Sequence, residues 1–225
     1  MKIQEWDSEF FGARIGRAEH EPIIGDERVD CAWLLIPATD YEAIHTEEEF
    51  GAEFMDFRVE YARETGPEVG IARPITDHDV DDLAAIARTA FRGLTRFYAD
   101  RRLPDERCDD LYEGWFRENA ADPNVEVLMV GDGGGPAGFV TVKMVPGPEA
   151  SDVPASIVLI AVAEHARGRG LGENLTRAAV NLAHHAGFPR ISVVTQGCNI
   201  PSQRAFQAAG FRIESSSVWL HNWYA

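Results

Sequence analysis

Residues 163–175 read AEHARGRGLGENL and follow the apolar run IVLIAV at positions 157–162. Gly168, Gly170 and Gly172 fall at alternate positions, with Arg167, Arg169 and Leu171 beside them, where a buried strand gives way to a helix. A helix start leaves backbone N–H groups unpaired and concentrates partial positive charge. Glycine at that point removes the side chains that would hold a phosphate away from those amides. The pattern therefore predicts an anion site on the backbone of residues 167–172; the bland alternative is a flexible connector. Two better-known phosphate loops do not fit. The dinucleotide fingerprint is spaced GxGxxG in the first unit of a parallel sheet, and the Walker loop ends in GK[ST], whereas these glycines are spaced GxGxG, late in the chain.

Two other stretches carry chemistry. The segment NIPSQRAF at residues 199–206 opens on Asn199, a natural helix N-cap, and leads into Gly210-Phe211. Further back, Arg92, Arg96, Arg101, Arg102 and Arg107 are interleaved with Phe91, Phe97 and Tyr98. Such a set could grip a diphosphate and stack a base or sugar, or it could be a solvated helix face paired with Asp100, Asp105 and Asp109. Glu164 and His165, just past the apolar run, and Glu126 are the acid–base groups nearest the glycine loop in sequence.

The elements that must position these residues follow from periodicity. Residues 68–73 (EVGIAR) read as a short strand. Residues 77–91 place Val80, Leu83, Ile86, Ala87 and Ala90 at helical spacing behind a cap at Thr76 or Asp77. A second helix spans about 105–120, VEVLMV and AGFVTVKMV flank a glycine turn as a hairpin, and SIVLIAVA is apolar on both faces and hence central. A helix over about 170–185, the strand ISVVTQ, the helix PSQRAFQAAG and a closing strand FRIESSSVWLHNW complete the order β-α-α-β-β-β-α-β-α-β, an α/β layout. Before it, CAWLLIPA, YEAIHTEEEF and EFMDFRVEYAR suggest strand, helix and strand. Leu34 precedes Gly51 by the same seventeen positions that separate Val193 from Gly210, so residues 1–66 are either a degenerate half-copy of the later fold or a common strand–helix–strand unit. The division is placed at residues 1–66 and 67–225.

The glycine loop after a Val-terminated strand, with Arg167, Gly170 and Gly172 in order, then Asn199 and Gly210-Phe211, resembles the coenzyme A motifs of the GCN5-related N-acetyltransferase (GNAT) superfamily. Glu164 stands where that family often has proline. The resemblance spans about residues 68–225. It implies a mixed central sheet with two splayed strands and flanking helices, with the small α/β extension in front. It also implies acetyl-CoA as co-substrate without a metal, its pyrophosphate on the amides of Arg167, Gly168, Arg169, Gly170, Leu171 and Gly172. The pantetheine would lie along Ile160, Ala161 and Val162, with Asn199, Ser202 and Phe206 on the far side. A narrower similarity joins TQGCN at 195–199, ESSSVWL at 214–220, WDSEFFG at 6–12 and the 92–100 segment to the TDP-fucosamine N-acetyltransferases. That implies an amino-sugar acceptor near Arg92, Arg96, Phe97 and Tyr98. One departure matters: the family's general acid is a tyrosine seven residues after the asparagine, and here that residue is Phe206. Ser202 or a water could donate instead, with Glu164 as a base, or the thiolate could leave unassisted. An antibiotic, polyamine or peptide amine as acceptor, and a non-catalytic acyl-CoA-binding module, remain as alternatives.

Composition narrows the partners. The 225 residues carry 21 Lys+Arg against 37 Asp+Glu, a net charge of −16. A field of that sign repels nucleic acid and anionic membrane; the resemblance implies a small-molecule amine acceptor as partner, and a second copy of the chain in a homodimer is the other partner considered. Three dispersed cysteines without ligand spacing, no signal-like start and no membrane-length apolar run lead us to expect a cytoplasmic protein.

Overall fold

The computed structural model describes residues 1–19, 29–145 and 155–224. In chain order the elements are β1 (Lys2–Ile3), α1 (Glu5–Phe11), β2 (Ile15–Glu19), β3 (Cys31–Pro37), α2 (Tyr41–Glu49), β4 (Glu53–Glu64) and β5 (Arg73–Pro74). Then come α3 (Val80–Ala90), α4 (Arg96–Ala99), α5 (Asp105–Ala121), β6 (Val125–Gly131), β7 (Pro136–Lys143), β8 (Ala155–Val162), α6 (Leu171–His185), β9 (Arg190–Gln196), α7 (Ile200–Ala208) and β10 (Arg212–Trp223). All ten strands join one mixed sheet in the order β1-β2-β3-β10-β4-β9-β8-β7-β6-β5.

Helices α3, α5 and α6 bury the stripes their periodicity promised. On one face α3 contributes Leu83, Ala84 and Ala87, and α5 contributes Leu111 and Phe116, against Met129, Phe139 and Leu159 of the sheet. On the other, Leu175, Ala179, Val180 and Ala183 of α6 join Phe206 and Phe211 over Val140, Val142, Ile157, Ile191 and Val193. α3 starts after a 3-10 turn in which the Asp79 carboxylate accepts from the Thr76 amide and hydroxyl, both at 2.8 Å, so the cap is Thr76 rather than Asp77.

The strand expected over residues 68–73 is a correction. Only Arg73 and Pro74 pair, with Met129 and Leu128 of β6. The preceding residues instead run along α6, where the amide and carbonyl of Ile71 bond the Asn174 side chain, at 2.7 Å each, and the Glu68 amide bonds that of Asn181. Gly70 is the reason this fits: a Cβ there would come within 2.4 Å of the Ala178 backbone nitrogen. β1, α1, β2 and the single turn α4 are elements the sequence pattern did not reveal.

The echo between the two ends of the chain is present in the backbone. β3, α2 and β4 recur, end residue for end residue, as β9, α7 and β10 at an offset of 159 positions. The ladders repeat as well: Ser217 pairs Pro37 as Arg58 pairs Gln196, and β10 pairs β4 about the central pair Ser217–Arg58. Asp40 caps α2 by accepting from Ala43, as Asn199 caps α7 by accepting from Ser202. Gly51 and Gly210 follow the two helices with φ of 93° and 84°. β4 thus lies inside the sheet, between β10 and β9, although it precedes residue 67. The two halves differ at their outer strands. β2 and β3 stay paired over five consecutive positions, from Ile15–Cys31 to Glu19–Leu35, whereas β8 and β9 do not.

Candidate active site

β8 and β9 run parallel but pair only at Ala155–Ile191, Ser156–Ser192 and Ile157–Val193. β8 then continues to Val162 and β9 to Gln196 with no ladder between them, leaving a V-shaped opening. A bulge starts it: Thr141 pairs Leu159 and Val142 pairs Ile157, so Val158 is skipped, and the Leu159 amide bonds the Thr141 hydroxyl at 2.9 Å. Val158 and Val194 consequently stand about two-fifths exposed inside otherwise central strands. The Ala163 amide bonds back to Ala137 of β7, so by ladder alternation Val162 and Ile160 turn their backbone groups to the open side. Ala161 packs into the core. One of those groups is occupied: the Val162 carbonyl accepts from Arg167 Nε at 3.2 Å.

The glycine loop closes the wide end. After a 3-10 turn at Glu164–Ala166, Gly168 and Gly170 both take φ of 76°, and Gly170 is the N-cap of α6 without any side-chain cap. A Cβ at either glycine would meet nothing within 4 Å, so backbone torsion rather than crowding selects glycine. Gly172 lies in the first turn with only Ala205 Cβ near, at 3.7 Å. The result is an open helix start with no side chain over its first amides. Neither arginine reaches out from it. Arg167 Nη2 bonds the Ala90 carbonyl at 3.3 Å, and Arg169 bonds the His165 carbonyl at 3.1 Å and pairs with Asp132 at 3.6 Å.

On the β9 side, Asn199 is 8% exposed and its side chain accepts the Ser202 amide at 3.3 Å. Ser202 is half-buried in the first turn of α7. Phe206 is 1% exposed, wedged between the rings of Tyr61 and Phe211 at 5.9 and 6.1 Å. A hydroxyl added at its rim enters an apolar core. Phe206→Tyr is therefore expected to lower unfolding free energy by about 1–2 kcal/mol in urea titrations, the usual cost of an unsatisfied buried hydroxyl, without faster acetyl transfer. The phenol nearby is Tyr61 on β4, which sequence reading missed. Its hydroxyl donates to Gln203 Oε1 at 3.0 Å, and Gln203 Nε2 in turn bonds the carbonyls of Gln196 and Gly197. This chain of bonds ties α7 to the end of β9.

The acid–base residues suggested by sequence scatter. Glu164 and His165 are exposed on the turn, His165 lying 3.3 Å from Asp132, and Glu126 is exposed on β6, two strands from the opening.

The arginine-rich segment also divides. Arg92 forms a bidentate pair with Asp109, and Tyr98 donates to the same carboxylate at 2.8 Å. The Arg92 guanidinium beside it holds the Asp109 carboxyl below the usual range. Arg102 pairs with Glu53, and Arg107 lies over the Phe10 ring. Arg96 alone turns inward, its guanidinium 4.0 Å from the Trp33 ring centroid, 4.1 Å from Phe97 and 4.2 Å from Trp219. Its Nη1 meets His221 Nε2 at 2.9 Å, while His221 Nδ1 and Trp223 Nε1 both bond Asp100 Oδ2, at 2.7 and 2.8 Å. Burial lowers the Arg96 guanidinium to about 10 and the His221 imidazole to about 4. His221 is thus neutral at pH 7, donating from Nδ1 to Asp100 and accepting at Nε2 from Arg96. Trp33, Asp56, Trp219 and His221 come from the two long strands and β3, and local sequence gave no sign that they meet.

Comparison with known proteins agrees with this geometry. The sequence signature described as "Acetyltransferase (GNAT) family" matches residues 80–211, more than half of the chain. A dTDP-fucosamine acetyltransferase from Escherichia coli is 28% identical over 146 residues, which cover 64% of this chain and 59% of that protein. A mycothiol acetyltransferase from Pseudarthrobacter chlorophenolicus is 29% identical over 101 residues, covering 45% of this chain and 30% of that protein. The chain therefore spans from under a third to about three-fifths of the curated relatives it matches. Among solved structures, a GCN5-related N-acetyltransferase from Sphaerobacter thermophilus superposes with a TM-score of 0.57 at 15% identity, over 86% of this chain and 59% of that one, which shows a shared fold. With the family's signature laid over the unzipped strands, the uncapped glycine loop and the asparagine-capped helix, this chain belongs to the acetyltransferase (GNAT) family.

Proposed function

We propose that this chain is an acetyl-CoA-dependent N-acetyltransferase that acts on the primary amine of a small molecule in a ternary complex, with a nucleotide-linked amino sugar as the acceptor class. The observation that carries the proposal is the unpaired stretch of β8 and β9 leading to an N-terminus of α6 that no side chain covers. An elongated ligand with one free edge of amides to pair and a diphosphate at its end fits that groove, and the glycines leave room for it. The amides of residues 167–172 would hold the diphosphate, the backbone of Ile160 and Val162 the pantetheine, and Asn199 and Ser202 its far side. Acetyl-CoA supplies an activated acyl carbon. The amine attacks it, a C–N bond replaces the C–S bond, and the thiol departs. An amide of β8 aimed at the carbonyl oxygen stabilises the negative charge that develops, and one such donor is typically worth about 10²-fold or more in rate. With Phe206 sealed in the core, departure relies on a thiol pKa of about 8.5, on Ser202 or on water.

The amino-sugar acceptor is supported by the similarity to a dTDP-fucosamine acetyltransferase and by the half-buried Arg96 beside tryptophan rings. We also read residues 1–66 as a degenerate half of the same fold, and 67–225 as the catalytic unit. The half-copy keeps the cap and the ladder but zips β2 to β3, and its connection, residues 20–30, is shorter than α6 alone. Among the described residues it therefore has no gap like that between β8 and β9. Two caps test this. Asp40→Ala and Asn199→Ala should each cost about 1 kcal/mol of stability by chemical denaturation, while only Asn199→Ala weakens acetyl-CoA binding.

Thiol release is the direct assay. The chain is mixed with acetyl-CoA and, separately, dTDP-4-amino-4,6-dideoxygalactose, kanamycin, spermidine and a lysyl peptide. Release with the sugar nucleotide alone is the expected result. Release with another amine moves the acceptor class. Coenzyme binding without any release, which Phe206 favours, would make the chain an acyl-CoA-binding module. No binding at millimolar acetyl-CoA overturns the proposal entirely.

A further inference from the structure

One buried carboxylate, Asp56, is only partly satisfied by hydrogen bonds. Asp56 lies on β4 opposite Trp219 of β10, and the next two residues fasten β4 to the end of β9: the Phe57 carbonyl accepts the Gly197 amide at 2.5 Å, and Arg58 pairs Gln196. Asp56 therefore stands two steps past the last residue of β9, on the strand across β9 from the V. It shares a sheet face with Trp219, whose ring lies under Arg96, so α4 roofs it. The residue is 6% exposed. Its Oδ1 accepts the Phe57 amide at 2.7 Å, and its Oδ2 is buried without any hydrogen bond. No lysine or arginine among the described residues pairs with it within 4 Å. From α4 it faces the backbone and guanidinium of Arg96, from α5 the Tyr112 phenol, and from the β9–α7 turn the Cys198 thiol, one residue before Asn199. Arg58 is the nearest charge on its own strand, already paired with Glu60.

A half-satisfied buried carboxylate costs more than an amide or an apolar side chain of similar volume would, so packing does not explain it. Its free oxygen is an acceptor near the Tyr112 phenol and opposite Trp219, and it adjoins the turn that carries Asn199. We propose that Asp56 Oδ2 receives the acceptor's primary ammonium and takes one proton from it, so that the lone pair can attack the thioester. This rests on the acetyl-transfer reading above. The step balances: R–NH3⁺ gives its first proton to Asp56, which passes it to solvent, and the second proton lost on amide formation goes to the departing thiolate. Burial has already raised the Asp56 carboxyl to about 6, which suits a base working near neutrality. The other carboxylate on this face, Glu60, is engaged by Arg58 at 3.2 Å and Ser215 at 3.0 Å.

The test compares wild type, Asp56→Asn and Glu60→Gln in three measurements. These are acetyl-CoA affinity by calorimetry, thiol release with whichever amine of the four above wild type acetylates, and thiol release with hydroxylamine, which is neutral at pH 7 and needs no base. Asp56→Asn should leave coenzyme affinity and the hydroxylamine rate within about threefold. It should cut kcat/KM for the amine by roughly 10²–10⁴ and remove the acidic limb of the pH–rate profile near pH 6. Glu60→Gln should keep that limb. An Asp56→Asn enzyme with the full amine rate and an intact acidic limb overturns this inference alone, as does an equal loss with both nucleophiles or a loss that follows Glu60 instead. A wild-type protein that binds acetyl-CoA yet releases thiol with neither nucleophile overturns the transfer reading, and this inference with it.

Discussion

Replacing Gly168 and Gly170 together with alanine is expected to raise the dissociation constant for acetyl-CoA by about 30- to 1,000-fold. Both residues hold φ at 76°, where an L-residue pays roughly 1–2 kcal/mol, and a factor of ten in affinity corresponds to about 1.4 kcal/mol. A methyl group would meet no atom within 4 Å at either position, so the variant should fold, and its loop should relax toward negative φ and turn the amides away from the groove. Arg169→Ala is the comparison. That side chain is spent on the His165 carbonyl and Asp132, so its loss should change affinity by less than about threefold. Calorimetry on both variants decides the matter. A larger loss at Arg169 would mean that side-chain charge, not the backbone, holds the diphosphate.

Asp56→Asn should make the protein more stable at pH 8, by up to about 3 kcal/mol in urea titrations. The folded carboxyl, raised to about 6, lies some two units above its unfolded value, and each unit is about 1.36 kcal/mol. The sign follows from linkage: a carboxyl raised on folding is favourable when protonated, so its contribution is best below about pH 4 and is lost as pH rises through 6. His221 slopes the other way. Its folded value of about 4 lies below the unfolded 6.5, so the stability that comes from keeping it neutral is present above 6.5 and lost as pH falls toward 4. In wild type the two slopes largely cancel between pH 4 and 6. Asp56→Asn removes one of them, so its stability should fall measurably from pH 6.5 to 4. A variant that is weaker than wild type at pH 8 would show that Asp56 is held by the fold and is not kept at its expense.

The acidic surface bears on both measurements. With a net charge of −16, coenzyme phosphates approach against the global field, and added salt should weaken that repulsion while leaving the short-range amide contacts in place.

Much of the groove could be read without coordinates because its parts are local. The spacing of Gly168, Gly170 and Gly172 after an apolar strand, Asn199 at a helix start and the stripe of α6 each depend on residues a few positions apart, and each stands in the local structure its pattern implies: strand end, helix start, helix cap and buried face. The same holds for the echo of Leu34 and Gly51 in Val193 and Gly210, which the offset of β3, α2 and β4 reproduces residue for residue. The segment 68–73 misled because a short apolar alternation reads as a strand, whereas Gly70 lets it lie against the α6 backbone. The cluster of arginines could be read either way for a related reason. Proximity in sequence said nothing about direction, and Arg92 and Arg96 leave the same stretch for Asp109 and for the tryptophan cage.

Sequence alone therefore determined the family's groove: which strand ends in the loop, where the helix dipole opens, and which residue caps the helix across from it. Only the tertiary structure decided what stands beside that groove. Asp56 meets Trp219 and Arg96 because β4 is inserted between β9 and β10, and that placement depends on the register of strands more than a hundred residues apart. Helix starts and glycine torsions are set by neighbours along the chain, whereas the partners of a side chain on a sheet are set by pairing across it, and pairing leaves little trace in any one segment.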